Sequence, residues 1–291
     1  MRCKQMSEYV IFTDSACDIL PDTLKEWGVR FAELTVQFKG SEQTYQNYEL
    51  DYHQFYERMR SGEVAVTSAV NSDSFVHAFE PALKEGLDIF YLGFSTGLSA
   101  TYQAACIAAD ELRSSYPDRK ILTVDSLSAS AGYGLLLYFC VQKKQAGYSI
   151  EEVAKYAEDT RLKLCHWFTV DDLVYLKRGG RVSAATALLG GMLGIKPVLH
   201  VDDEGHLINM SKARGRKNSI RAMADAYGKT NLGDKTIFIS HGDCREDAEY
   251  LAEILKEEYN ASVKLITYVG PVIGAHSGPG TLALFFLGSE R

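Results

Sequence analysis

The chain has 291 residues, enough for one large domain or two ordinary ones with a substantial core. Hydrophobic content of 46% with 24% charged residues fits an ordinary globular protein, and a formal net charge of -7 argues against general nucleic-acid binding. The longest apolar stretches, Gly132 to Val141 and Thr281 to Leu287, are too short to span a bilayer, and the opening MRCKQMSEYV has no apolar signal core.

Six cysteines stand at positions 3, 17, 106, 140, 165 and 244, with no C-x-x-C. Most fall in apolar strand or helix patterns, so core thiols in a reducing cytosol are expected. Tyr9 to Phe12 reads as a first strand, followed by Thr13-Asp14-Ser15-Ala16-Cys17-Asp18 and a helix start at Pro21-Asp22. A strand running into a loop of Asp and Ser is where α/β sheets place functional groups, although Asp14 and Ser15 also suit a turn and a helix cap. Arg30 to Phe38 alternates like one strand, with Lys39-Gly40-Ser41 as a hairpin turn, and Asp51 to Arg60 is an amphipathic helix. Val64 to Ser72 is an apolar run ending in hydroxyls, including Thr67 and Ser68, and the helix after it should bend or break at Pro81.

Asp88 to Phe94 has the composition of a buried strand, and Tyr102, Ala105, Cys106, Ala109 and Leu112 recur at helical spacing. Ser99 or Thr101 is placed to cap that helix. The turn between strand and helix holds Ser95, Thr96 and Gly97 and nothing charged. Free backbone N–H groups at the positive end of a helix, joined by two hydroxyls, make a seat for one small anion. A rival lies in the same letters, because Gly93-Phe94-Ser95-Thr96-Gly97 fits the G-x-S-x-G nucleophile elbow of α/β-hydrolases. That reading makes the protein a serine esterase using Ser95, His276 and Asp243.

Lys120 to Val124 is another strand, ending in Asp125-Ser126-Leu127-Ser128, and Gly132 to Gln145 is a strongly apolar helix. This recurrence of strand, hydroxyl-rich loop and helix predicts a parallel α/β sheet with its loops gathered at one edge. Ser149 to Leu164 is a capped, charged helix. The texture changes beyond about residue 163, which divides the chain into an N-terminal α/β domain over 1–162 and a C-terminal α/β domain over 163–291. In the second part, Gly179-Gly180 suggests a tight turn presenting Arg181, Ala184 to Leu193 is small and apolar, and Asp202 to His206 is a turn between strands. Lys212, Arg214, Arg216, Lys217 and Arg221 form a basic run, read as a solvated helix start or as a docking face for an acidic partner. Thr236 to Ser240, a helix over Arg245 to Tyr259 and Val263 to Tyr268 make one more β-α-β unit. His241, Asp243 and Cys244 lack a further ligand at metal spacing, so no metal site is expected. Gly270 to Gly280 is a glycine- and proline-framed loop that fixes the backbone around His276, read either as a structural histidine or as a ligand contact.

Taken together, Thr13-Asp14-Ser15, Thr67-Ser68, Ser95 to Gln103, Asp125-Ser126, Tyr175 to Arg181, Ile195-Lys196-Pro197 and Gly274 to Gly280 resemble the motifs of the DegV family. The resemblance runs from about Tyr9 to Gly288. It implies two α/β domains, an N-terminal three-layer parallel sheet and a C-terminal mixed α/β domain, with a long-chain fatty acid held between them. It also implies a bacterial, cytoplasmic lipid carrier without catalysis of its own. Such a carrier needs no cofactor and presents the acid to a separate fatty-acid kinase that makes acyl-phosphate for phospholipid synthesis. By position, the carboxylate contacts implied are Thr67, with Ser68 beside it, Ser95, the Thr96 backbone and His276. Arg181 falls on the position linked to kinase engagement and phosphoryl transfer. The chain departs from the family pattern at Val70 and Asn71, where proline and serine are common, and at Ala100, where glycine is common.

The energetics agree with that expectation. Burying an acyl chain releases about 0.8 kcal/mol per methylene, on the order of 10 kcal/mol gross for a chain of about 16 carbons, partly offset by lost ligand freedom. A bare carboxylate in the same apolar slot would cancel the gain unless several donors met it.

Overall fold

The computed structural model describes residues 8–181 and 194–291. The N-terminal half runs β1 (Tyr9–Asp14), α1 (Pro21–Glu26), β2 (Val29–Ala32), β3 (Thr35–Phe38), β4 (Thr44–Gln46), α2 (Tyr52–Arg60) and β5 (Ala65–Ser68). It continues with α3 (Ser72–Lys84), β6 (Asp88–Gly93), α4 (Thr101–Ser115), β7 (Ile121–Asp125), α5 (Ala131–Gln145) and α6 (Ile150–Arg161). Then follow β8 (Leu164–Thr169), α7 (Leu173–Gly179), β9 (Ile195–Val201), β10 (Leu207–Arg214) and α8 (Arg216–Thr230). The last elements are β11 (Thr236–His241), α9 (Arg245–Tyr259), β12 (Ser262–Tyr268), α10 (Pro271–Ser277) and β13 (Leu282–Leu287).

Continuous apolar runs favour strands covered on both faces, and β1 and β6 are buried at every position. They form the centre of a parallel sheet in the order β2-β1-β6-β7. Helices α3 and α4 pair on one face of it, and α5 and α6 on the other, which gives three layers. The strand order reverses direction between β1 and β6, the place where open α/β sheets leave a crevice beyond the carboxyl ends of their strands. A second sheet, β10-β9-β8-β13-β11-β12, is antiparallel except for the β11–β12 pair. Helix α5 packs on β6 and also on β8, β11 and β13. That position explains why it is apolar on all sides, with Leu135, Leu136 and Leu137 fully buried. One contiguous core therefore includes Phe90, Leu136 and Phe285, crossing from the first sheet to the second.

Several expectations are corrected. Arg30 to Phe38 is two strands, β2 in the parallel sheet and β3 in a separate antiparallel sheet of order β4-β3-β5. Helix α3 runs through Pro81 without breaking. Pro81 is exposed and one turn from the helix end, so a single backbone bond, to the carbonyl of the exposed residue His77, is lost. The basic run is divided between β10 and α8, where Arg216 pairs with Asp247 at 2.8 Å and Arg221 with Asp225 at 3.1 Å. The Pro271 segment is a short helix rather than a loop, opened by proline in its first turn. The Ala184 to Leu193 stretch lies outside the described residues. Among the described residues no helix is long and apolar enough to cross a membrane.

Candidate functional site

A cavity of about 210 Å³ lies between the parallel sheet and the six-stranded sheet. Leu34, Phe94, Leu98 and Ala129 line it from one side, and Phe168, Leu176, Leu207, Val269 and Val272 from the other. Into this apolar wall project Thr67, Arg181 and His276.

Each of the three is held by its own element. Thr67 sits on β5 opposite Val36 of β3, in an alternating strand that turns successive side chains to opposite faces. His276 is in the last turn of α10. That helix is tied to the N-terminal half, because the Val272 N–H donates to Asn47 Oδ1 at 2.9 Å and Asn47 Nδ2 donates to the Ser15 carbonyl at 3.0 Å. Arg181 follows α7, which Gly180 closes with a left-handed φ of 70°. Its Nε donates to the Leu98 carbonyl at 3.2 Å.

Thr67 Oγ1 and His276 Nε2 are 2.8 Å apart. Burial, reinforced by the Arg181 cation, pushes the His276 imidazole down to about 4, so the ring is neutral at pH 7. Its Nδ1 is buried and unpartnered among the described residues. Gly179 explains how the ring fits, since a Cβ there would lie 2.2 Å from Nδ1. A neutral imidazole, a hydroxyl and a guanidinium around one apolar slot can accept a small anion with a hydrophobic tail.

The Ser95 turn does something else. Ser95 is fully buried, its Oγ donating to the Gly205 carbonyl at 3.0 Å and accepting from the Gly97 N–H at 3.1 Å. Thr96 is exposed, and its backbone N–H and hydroxyl both donate to Asp125 Oδ2, at 3.3 and 2.5 Å. Ser68 is exposed on β5. Thus Thr67, His276 and Arg181 share the cavity wall, whereas Ser68, Ser95 and Thr96 stand outside its lining. Ser99 does line the cavity, and its Oγ accepts from the Thr101 N–H at 3.2 Å while Ala100 occupies the cap position of α4.

The esterase arrangement is not assembled. Ser95 bonds Gly205, His276 bonds Thr67, and Asp243 is held by Arg60 and by His53 at 3.1 Å. Nor does Ser95 have the left-handed backbone found at Leu127 and Ser130.

The sequence pattern of the DegV family, described as an uncharacterised protein family, matches residues 8–289. The chain belongs to the DegV family. A DegV domain-containing protein of Clostridium perfringens is 45% identical over 289 residues, covering 98% of this chain and 99% of the relative. Among solved structures, a DegV family protein of Thermus thermophilus, described for its fatty acid binding, matches with a TM-score of 0.86 and 30% identity, covering 96% of this chain and 98% of that one. The fatty acid kinase (Fak) B3 protein of Streptococcus pneumoniae, loaded with linoleic acid, matches with a TM-score of 0.84 and 25% identity, covering 96% of this chain and 99% of that one. The arrangement of a parallel sheet beside a second, mixed sheet is thus the DegV architecture.

In this DegV chain Asp14, read from the sequence as a site candidate or a cap, is a buried cap, and the places of Ser130 and Ser240 in the cavity lining were not foreseen. Asp14 is fully buried and accepts from Tyr91 at 2.7 Å, Tyr133 at 2.6 Å and the Phe94 N–H at 3.1 Å, tying β1 to the start of the Ser95 turn. Ser130, Ser240 and Ser277 line the cavity although they are far apart in sequence. A serine at a strand end was the available signal for Ser240, and a place beside His276 in the Gly274 to Gly280 motif was the signal for Ser277.

Proposed function

We propose that this DegV protein carries a long-chain fatty acid in the cavity between its two sheets and presents the carboxylate to a fatty-acid kinase. The single observation behind this reading is the apolar cavity with Thr67, Arg181 and His276 on one wall. The tail gains from burial, and the carboxylate meets a hydroxyl, an imidazole and a positive charge. Arg181 serves both the ligand and the approaching kinase, whose phosphoryl group brings further negative charge. Ser95 and the Thr96 backbone join the head-group contacts when the Gly205 contact yields to the ligand. Ser68 stands beside them at the rim. The chain is a carrier, and the phosphoryl chemistry belongs to the kinase. Residues 1–162 and 163–291 act as the two domains that close on the tail, in the cytosol of a bacterium, where buried thiols such as Cys17 and Cys140 stay reduced.

Native mass spectrometry of protein purified from cells, followed by lipid extraction, tests the reading. Stoichiometric long-chain acid is expected in the wild type. Thr67→Val, which removes the hydroxyl and keeps the shape, should lower affinity by about 5- to 10-fold. Protein that carries no acid and takes none up when it is offered would refute the carrier role.

A further inference from the structure

The cavity lining holds a second hydrogen-bonded polar group, made from residues other than the Thr67–His276 pair. Ser130 and Ser240 both line the cavity, are buried, and have their Oγ atoms 3.0 Å apart. Ser130 Oγ also bonds Asp18 Oδ2, and Asp18 is only 3% exposed.

A serine hydroxyl has one hydrogen and two acceptor positions. With Asp18 ionised, Ser130 gives its hydrogen to the carboxylate and Ser240 gives its own to Ser130, so the Ser240 lone pairs stay unfilled. With Asp18 protonated, the chain of donors runs the other way, and the Ser240 hydrogen is left over. In either case Ser240 keeps an unmet hydrogen-bonding function at the cavity wall, because Ser130 is its only partner among the described residues. Ser277 Oγ, next to His276 on α10 and also in the cavity lining, is buried and has no partner among the described residues. A plain hydrocarbon tail would leave these groups desolvated and unpaired, which a wall of alanines would avoid.

We infer that Ser240, backed by Ser130 and Asp18, receives an oxygen substituent borne along the acyl chain, so that the ligands of this cavity include hydroxy or oxo fatty acids. The inference rests on the fatty-acid reading and adds the ligand class. A neutral oxygen suits the place better than a second carboxylate, which would face Asp18 across one serine. A hydroxyl group also meets Ser240 in either direction of the donor chain, as acceptor or as donor.

The test uses the full-length protein stripped of lipid. A bound fluorescent fatty acid is displaced by stearic acid and by positional series of hydroxystearic and oxostearic acids. At least one positional isomer should bind about 5-fold or more tightly than stearic acid. Ser240→Ala should erase that gap, chiefly by tightening stearic acid, because alanine leaves no unpaired hydroxyl beside the tail. Ser130→Gly, which suits the φ of 55° at that position, should narrow the gap and serves as the second variant if Ser240→Ala does not fold. The inference is overturned if no isomer surpasses stearic acid, or if the preference survives in Ser240→Ala. If stearic acid itself displaces nothing, the fatty-acid reading has failed and this inference goes with it.

Discussion

At the scale of single residues, the cavity is governed by groups whose charge is suppressed by burial. His276 is held neutral, with its acid form disfavoured down to about pH 4. A ¹⁵N-edited titration of the empty protein should therefore show no His276 inflection near 6.5. Binding a carboxylate beside the ring favours the charged form, so fatty acid should move the inflection upward. An inflection that stays in place on loading would mean that the head group sits elsewhere. Asp18 is perturbed in the opposite sense. Burial pushes it up to about 8, against the Ser130 hydroxyl and the Gly270 N–H that favour the charged form, while Asp14 adds to the rise. A carboxyl with a raised folded pKa binds a proton that the unfolded chain has lost, so its stabilising share is full below about pH 3.8 and fades as pH rises to about 8. Asp18→Asn should consequently gain on the wild type, by on the order of a few kcal/mol, as pH climbs through that window and then level off. Melting temperatures measured from pH 4 to 9 check this, and a pH-independent difference would contradict it.

At the scale of elements, the short helix α10 and the end of α7 meet edge to edge at His276. Gly179 permits the approach, since a methyl group there would occupy the space of the imidazole nitrogen. Gly179→Ala should cost about 1–3 kcal/mol in urea unfolding and displace the ring, weakening fatty-acid binding in parallel. Full stability with full binding would show that the ring has room to move. Helix α5 illustrates a different control. A helix apolar on every side is stable only when covered on every side, and α5 finds that cover between two sheets. Its sequence announces burial, but not which partners bury it.

For the whole molecule, the decisive contact is the turn between β9 and β10 resting on the Ser95 turn. Ser95 Oγ donates to the Gly205 carbonyl, and Gly97 and Gly205 approach so closely that a Cβ on Gly97 would lie 2.8 Å from that carbonyl oxygen. Gly205 has a φ of 80°, and a Cβ on it would meet Ser95 Oγ at 2.1 Å. Gly205→Ala should push the two turns apart. The expected result is faster exchange of bound fatty acid, followed by stopped-flow fluorescence, with a lower melting temperature. Exchange at the wild-type rate would mean that this contact does not gate the cavity.

Most local elements, and the α/β class, were legible from sequence alone. The short aromatic-rich run Asp88 to Phe94 reads as a strand by length and composition, and Arg245 to Tyr259 as a helix by its period, because both signals are local. The sequence also singled out His276, Thr67 and Arg181, whose settings in glycine- and hydroxyl-rich stretches are visible in one dimension. Only the tertiary structure decided that Arg30 to Phe38 divides between two sheets, that the Ser95 hydroxyl is taken by Gly205, and that Ser130 reaches Ser240 across the cavity. Those outcomes depend on which surfaces meet, and residues 110 positions apart along the chain leave no mark of their meeting in either local stretch.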